Sequence, residues 1–133
     1  MIDYRTVDAR RPLAPIIAYS RAVRRGNVID VGGTSATSPE GEVLYSGDAY
    51  EQTKHVLGVV LSAIEELGGT AADVLRIRAF LTNVDDGQAV GRAHGEVFSG
   101  IYPASTFVEV SRRLLPGLVV EMEATAICRT EDA

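Results

Sequence analysis

The sequence predicts an α+β domain in which two helices pack on one face of a mixed sheet, in the order β-β-α-β-α-β-β. Two observations support this fold class. Apolar residues follow helical spacing from Val56 to Leu67, and the series stops at Gly68-Gly69. The last segment, Leu118–Arg129, alternates between two kinds of residue, which is typical of a strand with one buried face.

The N-terminal half predicts an arm, a hairpin and the first helix. Residues Ala18–Arg24 alternate toward a turn at Arg25-Gly26-Asn27, and Val28–Val31 continue after that turn. The adjacent Gly32-Gly33 would allow close approach by a ligand or another chain, and a bulge or bend explains these glycines equally well. Asp48, with an acidic residue three positions later, is typical of a helix start.

The C-terminal half predicts a strand, a second helix and a final hairpin. The strand covers Val74–Thr82, and the helix covers Asp86–Phe98. Residues Phe107–Ser111 then form a strand that turns at Pro116-Gly117 into Leu118–Arg129. In the Val74–Thr82 strand, four apolar residues are predicted to share one face: Leu75, Ile77, Ala79 and Leu81.

The final strand places two carboxylates on the face away from the helices. Its other face is apolar throughout: Val120, Met122, Ala124, Ala126 and Cys128. Glu121 and Glu123 lie between Val119 and Ile127 on the second face. Such a mixed face suits either an oligomer interface with a shared site or a solvated outer surface, and periodicity alone does not decide between them.

Length and composition fit one soluble domain spanning residues 1–133. The chain is 46% hydrophobic and 23% charged, which is typical of globular proteins. Its single cysteine cannot form an intrachain disulfide, so a reducing compartment is expected. The N-terminus lacks the apolar region of a signal peptide, and the longest uncharged apolar stretch, Val56–Ile64, is too short to span a bilayer. We therefore expect a cytoplasmic protein without a membrane partner.

The charge of the chain argues against a nucleic-acid partner. The formal net charge is −5, and the basic residues are scattered, often as arginine pairs such as Arg24-Arg25. A surface that binds phosphates normally concentrates basic residues on one face. A small molecule is the expected partner.

Few side chains suggest chemistry on their own. His55 and His94 are the only histidines and show no metal-ligand spacing, so we expect no metal or other cofactor and assign both to structural or surface roles. Cys128 lies on the apolar strand face and is assigned to the core. Glu121 and Glu123 are the best acid–base candidates, because a partly dry interface raises the pKa of a carboxyl group.

Several segments, in order and spacing, resemble the Rid (reactive intermediate deaminase) family, also called YjgF, over nearly the whole chain. The most specific are Pro103–Val110 and Val120–Ala124; the others are Tyr19–Val23, Val31–Gly33, Gln52-Thr53, Gly68-Gly69 with Asp73-Val74, Phe80–Thr82 and Glu96–Phe98. The resemblance implies a chorismate-mutase-like fold and a homotrimer whose sheets form a central barrel. It also implies three clefts between subunits, each taking residues from two chains.

The resemblance further implies an activity and a set of site residues. Characterised family members hydrolyse imines and enamines, such as 2-aminoacrylate, to keto acids and ammonia. An arginine in a Pro-Ala-Arg-Ser motif clamps the substrate carboxylate there, and a glutamate on the last strand positions water. That glutamate matches Glu121, and a cleft tyrosine matches Tyr19. The other candidate positions are expected to contact substrate: Gly33, Thr34, Arg92, Ser105, Thr106 and Phe107.

The chain departs from the family pattern at three positions. Ser105 replaces the clamping arginine, Gly32 replaces a usual serine, and Arg92 replaces a usual asparagine. Arg92 could supply a displaced cation or could serve only at the surface. We therefore expect a deaminase acting on an imine or enamine other than 2-aminoacrylate. The alternative is a trimeric small-molecule binding protein without turnover, and endoribonuclease activity, an older family name, finds no support in the net charge.

Overall fold

The computed structural model describes residues 4–112 and 115–129, which form one six-stranded sheet covered on one face by helices. The strands are β1 (Tyr4–Val7), β2 (Ala22–Arg25), β3 (Val28–Ser35), β4 (Val74–Leu81), β5 (Ala104–Glu109) and β6 (Val120–Ile127). The helices are α1 (Ala14–Ile17), α2 (Ala49–Glu66) and α3 (Gly87–Phe98), with 3-10 turns at Ala71–Asp73 and Val84–Asp86. The spatial order is β1-β2-β3-β6-β4-β5.

The two long helices begin and end close to the predicted residues. The Asp48 carboxylate caps α2 by accepting a hydrogen bond from the Glu51 amide at 3.0 Å. The helix ends before Gly68, whose φ of +93° is the left-handed conformation that favours glycine. Helix α2 packs on β3, β6 and α3, so both long helices lie on the same side of the sheet. The predicted two-helix layer is confirmed.

Strand β6 lies in the middle of the sheet, and its side chains alternate between the two faces. Val120, Met122, Ala124 and Ala126 are at most 1% exposed and pack beneath the helices. Glu121 and the other alternate residues occupy the opposite face, which we call the open face. The alternation predicted for the last strand is therefore confirmed.

The predicted final hairpin is wrong. Strand β5 pairs in parallel with β4, and β6 lies between β3 and β4 in antiparallel pairing with both. Helix α3 carries the chain back over the sheet between β4 and β5, and such a crossover connects parallel strands. As a result, β5 is an edge strand, and all six of its residues are exposed.

Three smaller predictions also need correction. The N-terminal arm contains β1, which pairs with β2, and the short helix α1; the strand expected at Ala18–Arg24 is limited to Ala22–Arg25. Leu75 is 56% exposed because the β4–β6 register shifts between Val74 and Arg76, which turns this side chain out of the core.

Among the described residues, no helix combines the length and the apolar character that crossing a membrane requires.

Candidate functional site

Glu121 is held on the open face by strand β3. The Ser35 hydroxyl donates to Glu121 Oε1 at 3.2 Å. A Cβ atom on Gly33 would overlap the Glu121 carboxylate, so only glycine leaves room for that group in this position. The β3–β6 register shifts between Val31 and Thr34, which confirms a bulge at the glycine pair. We call Gly33, Ser35 and Glu121 the carboxylate site.

Arg21 supports the bulge from the helix side, and the sequence analysis missed it. Its guanidinium is buried and donates from Nη1 to the Gly33 carbonyl at 3.2 Å and to Thr34 Oγ1 at 3.1 Å. Burial, and then the nearby guanidinium of Arg11, lowers the pKa of Arg21, while Tyr19 acts in the opposite direction. The sequence does contain one sign of this role, because Arg21 directly precedes the apolar residues Ala22 and Val23 at the start of β2.

Two of the predicted site residues, Thr34 and Tyr19, lie near Arg21. Thr34 is fully buried and donates its hydroxyl to the Gly32 carbonyl at 2.9 Å, so it stabilises the bulge from the face opposite Glu121. Tyr19 lies between α1 and β2, is 36% exposed, and is close enough to Arg21 to influence its charge. Its ring is therefore available near the bulge.

Ser105 belongs to a second cluster, on the helix side of the edge strand. Its Oγ lies 2.9 Å from His94 Nε2 and donates to the Pro103 carbonyl at 3.1 Å. The His94 ring packs against Phe98 and Phe107, with centroids 4.8 Å and 5.6 Å away. Burial lowers the pKa of His94, so its imidazole is neutral at pH 7. We call His94, Ser105 and Phe107 the serine–histidine site.

The two sites lie on opposite faces of the sheet of one chain. Glu121 is on the open face, whereas Ser105 and Phe107 meet α3 on the helix face. Between the latter two, Thr106 faces the open side and accepts a hydrogen bond from Arg76 Nη2 at 2.8 Å. The chain thus brings Gly33 and Ser35 to Glu121, but it does not bring Ser105 there.

Arg92 lies apart from both sites. Its guanidinium stacks 4.3 Å above the ring of Tyr50, in the helix layer. A neighbouring surface ion pair joins Lys54 Nζ to Glu96 Oε1 at 3.5 Å. Within one chain, Arg92 therefore does not replace the cation that is missing at position 105.

Glu123 is a weaker acid–base candidate than Glu121. Arg78 Nη1 lies 3.4 Å from Glu123 Oε1, and this pair lines an open cleft of about 480 Å³ together with Asp30 and Gly32. The ion pair already engages one oxygen of the Glu123 carboxylate. Within residues 4–112 and 115–129, no three His, Cys, Asp or Glu side chains are grouped to hold a metal ion.

Comparisons of the sequence give consistent relatives. A family model described as Endoribonuclease L-PSP matches residues 9–128. A RutC family protein of Pyrococcus abyssi is 36% identical over 121 residues, which cover 91% of this chain and 92% of that protein. An uncharacterized protein of Streptomyces coelicolor is 37% identical over 123 residues, which cover 92% of this chain and 90% of that protein.

Solved structures share the fold over almost the whole chain. A YjgF/YER057c/UK114 family member from Mycobacterium tuberculosis has a TM-score of 0.85 at 33% identity, covering 94% of this chain and 99% of that one. A protein of unknown function from Pseudomonas aeruginosa has a TM-score of 0.82 at 33% identity, covering 96% of this chain and 94% of that one. The residues matched by the family model, 9–128, include both the carboxylate site and the serine–histidine site.

Proposed function

Because the chain belongs to the YjgF/Rid family, we propose that it is a hydrolytic deaminase of small reactive imines or enamines, acting at clefts between the subunits of a homotrimer. The observation that carries this proposal is the carboxylate site. A glutamate is fixed on an open sheet face by a hydroxyl donor and by a glycine whose missing Cβ makes room for it. A base held this way needs no cofactor to activate water.

The separation of the two sites supports the two-chain cleft. A ligand touching Glu121 and Ser105 together must lie between chains, because these side chains occupy opposite faces of one sheet. The edge strand β5 is exposed along its whole length, with Phe107 and Val108 exposed by 36% and 43%. An exposed apolar edge is normally covered, and a second copy of the chain is the occupant that also completes the cleft.

The proposed reaction is addition of water to a C=N bond followed by loss of ammonia. Glu121 accepts a proton from water as the water oxygen bonds to the imine carbon, and the electron pair of the C=N double bond moves to nitrogen, which takes a proton from solvent. Glu121 then returns its proton to the amine nitrogen of the carbinolamine. The hydroxyl group gives its proton to solvent as the carbonyl forms, and the C–N bond breaks to release ammonia. An enamine enters the same sequence after protonation at carbon.

The serine–histidine site supports a change of substrate. A neutral hydroxyl bonded to a neutral imidazole offers no positive charge to a carboxylate, and a charge-assisted hydrogen bond is roughly twice as strong as a neutral one. The apolar ring of Phe107 lies beside this pair. Imines without a carboxylate next to the C=N bond therefore fit better than 2-aminoacrylate.

Ammonia release from freshly generated imines tests the proposal. We expect faster release from imines of aldehydes or amines that lack a carboxylate than from 2-iminoacids, each measured above the spontaneous rate. Sedimentation of the same preparation should show a trimer at micromolar concentration. Saturable binding of the imines without any rate enhancement would favour the binding-protein alternative, and a stable monomer would remove the shared cleft.

A further inference from the structure

A second cleft, of about 550 Å³, lies on the helix side between residues 7–11 and helix α2. None of the residues of the carboxylate site or the serine–histidine site lines it. The cleft is therefore separate from the groups proposed to contact the imine, and Arg21, which also donates to the Gly33 carbonyl, is the residue that links the two.

This cleft is basic in a protein whose net charge is −5. Five basic side chains line it, and we call the site they form the arginine cleft: Arg10, Arg11, Arg21, Lys54 and His55. Two carboxylates also line it, Asp8 and Glu66. The Asp8 carboxylate accepts a hydrogen bond from the Arg10 backbone amide, at 2.7 Å, so part of its capacity is already used.

Arg21 is the strongest indication of a missing ligand. It is only 7% exposed, and both of its hydrogen bonds leave from Nη1, toward β3. Within the described part of the chain, neither Nε nor Nη2 has a hydrogen-bond partner, and no carboxylate pairs with this guanidinium. A buried charge without a counterion is costly, so an anion at these two nitrogens would stabilise the protein.

The neighbouring cations add to this unbalanced charge. Arg11 is fixed by neutral acceptors: Nε donates to Thr37 Oγ1 at 3.0 Å, and Nη2 donates to the Thr37 carbonyl at 2.8 Å. The same guanidinium lowers the pKa of both Arg21 and His55, in each case after burial. Among the described residues, no ion pair joins any of these three basic side chains to a carboxylate.

The cleft also has room for a ligand above helix α2. Gly58 lines it, and a Cβ atom there would meet no atom within 4 Å. Ser62, one turn later, adds a hydroxyl to the same wall. The helix therefore leaves open space opposite the guanidinium groups.

We propose that the arginine cleft binds the phosphate or carboxylate group of a small metabolite. Nε and Nη2 of Arg21 form a planar fork that matches two oxygens of such a group. The fixed charge of Arg11 lies close by, and His55 gains a proton more readily when the anion is present.

The two histidines provide an internal control for a test on the full-length chain. The imidazole signals are followed by NMR against pH while inorganic phosphate, or acetate in a separate series, is added at constant ionic strength. We expect either anion to raise the pKa of His55 in a saturable way and to leave His94 unchanged. The tighter of the two series identifies the preferred group. Equal responses of both histidines, or no response of His55, would overturn the proposal.

Matched variants at Gly58 test the site without removing a structural arginine. Gly58→Glu places a carboxylate in the open space, and Gly58→Gln is the neutral control of nearly the same size. Both replace a poor helix former inside α2, so both should fold. We expect Gly58→Glu to weaken phosphate binding about tenfold or more relative to Gly58→Gln, because the added carboxylate repels the anion and competes with it for the guanidinium groups, and a charge-assisted bond is worth about this much. Equal affinity in the two variants would contradict the proposal, and ammonia release should be the same in both.

Discussion

The carboxylate site and the serine–histidine site differ in what holds them. Glu121 is fixed by features of the backbone: a bulge, a glycine without a Cβ, and the buried guanidinium of Arg21 behind that glycine. Ser105 lies on an exposed edge strand paired with β4, and its side chain contacts His94 and the Pro103 carbonyl. The first site allows little variation, whereas the second can change residue without disturbing the core. If the proposed function holds, substrate preference should be easier to change, at Ser105, than the reaction itself, at Glu121.

The largest effect is expected at Glu121. Glu121→Gln keeps the shape of the side chain but removes the base, so turnover of the best imine substrate should fall by about 10²–10⁴-fold. Glu123→Gln is the matched control, because this carboxylate pairs with Arg78 and, in the proposed reaction, takes no part. Turnover and melting temperature are measured on both variants. A normally folded Glu121→Gln trimer with unchanged turnover would refute the catalytic role.

The second effect tests whether the glycine positions the carboxylate. Gly33→Ala forces the Glu121 side chain to move, and a misplacement of about 1 Å can cost about 10²-fold in rate. Gly32→Ala is the control, because its Cβ would meet only backbone oxygens at 3.7 Å, an ordinary contact. Steady-state kinetics of the two variants should differ strongly; similar rates would show that the position of the carboxylate is not critical.

The third effect concerns the substrate. Ser105→Arg adds a cation at an exposed position, and we expect turnover of 2-aminoacrylate to rise about tenfold, the value of one charge-assisted hydrogen bond. Ser105→Gln provides a long neutral side chain for comparison. A coupled dehydratase assay measures both. The interpretation of position 105 fails if the wild-type chain already prefers 2-aminoacrylate to imines without a carboxylate.

The smallest effect is a pH dependence of stability at His94. Burial lowers the pKa of His94 below its ordinary value of 6.5, so the unfolded chain binds a proton more readily than the folded chain does. The contribution to stability is complete above pH 6.5 and is lost as the pH falls through the folded-state pKa. His94→Gln should therefore flatten the fall in melting temperature between neutral and mildly acidic pH. A variant curve parallel to that of the wild type would contradict this.

Sequence patterns predicted the parts of the fold that depend on local periodicity. The buried face of β6 and the limits of α2 and α3 follow from the spacing of apolar residues. Strand partners do not, because pairing depends on where the chain returns after a helix. The parallel β4–β5 pair was missed for this reason, and so was the edge position of Ser105.

The sequence indicated individual residues of the candidate site but not the contacts between them. Glu121 could be chosen from its place on a mixed strand face, and its match to a family glutamate supported the choice. The hydrogen bonds of Arg21 to Thr34 and of His94 to Ser105 join different parts of the fold and connect residues 13 and 11 positions apart in sequence. No periodicity in the sequence indicates either contact.

The central claim is that each site combines Glu121 of one chain with Ser105 of another, and subunit complementation tests it most directly. Glu121→Gln removes the base, and Ser105→Trp fills the substrate position with a large ring, so each variant trimer alone should be inactive. Random mixing of the two chains should restore about a quarter of wild-type ammonia release, because that share of the clefts receives both unmodified residues. Release no higher than that of the separate variants, in confirmed mixed trimers, would contradict the shared site.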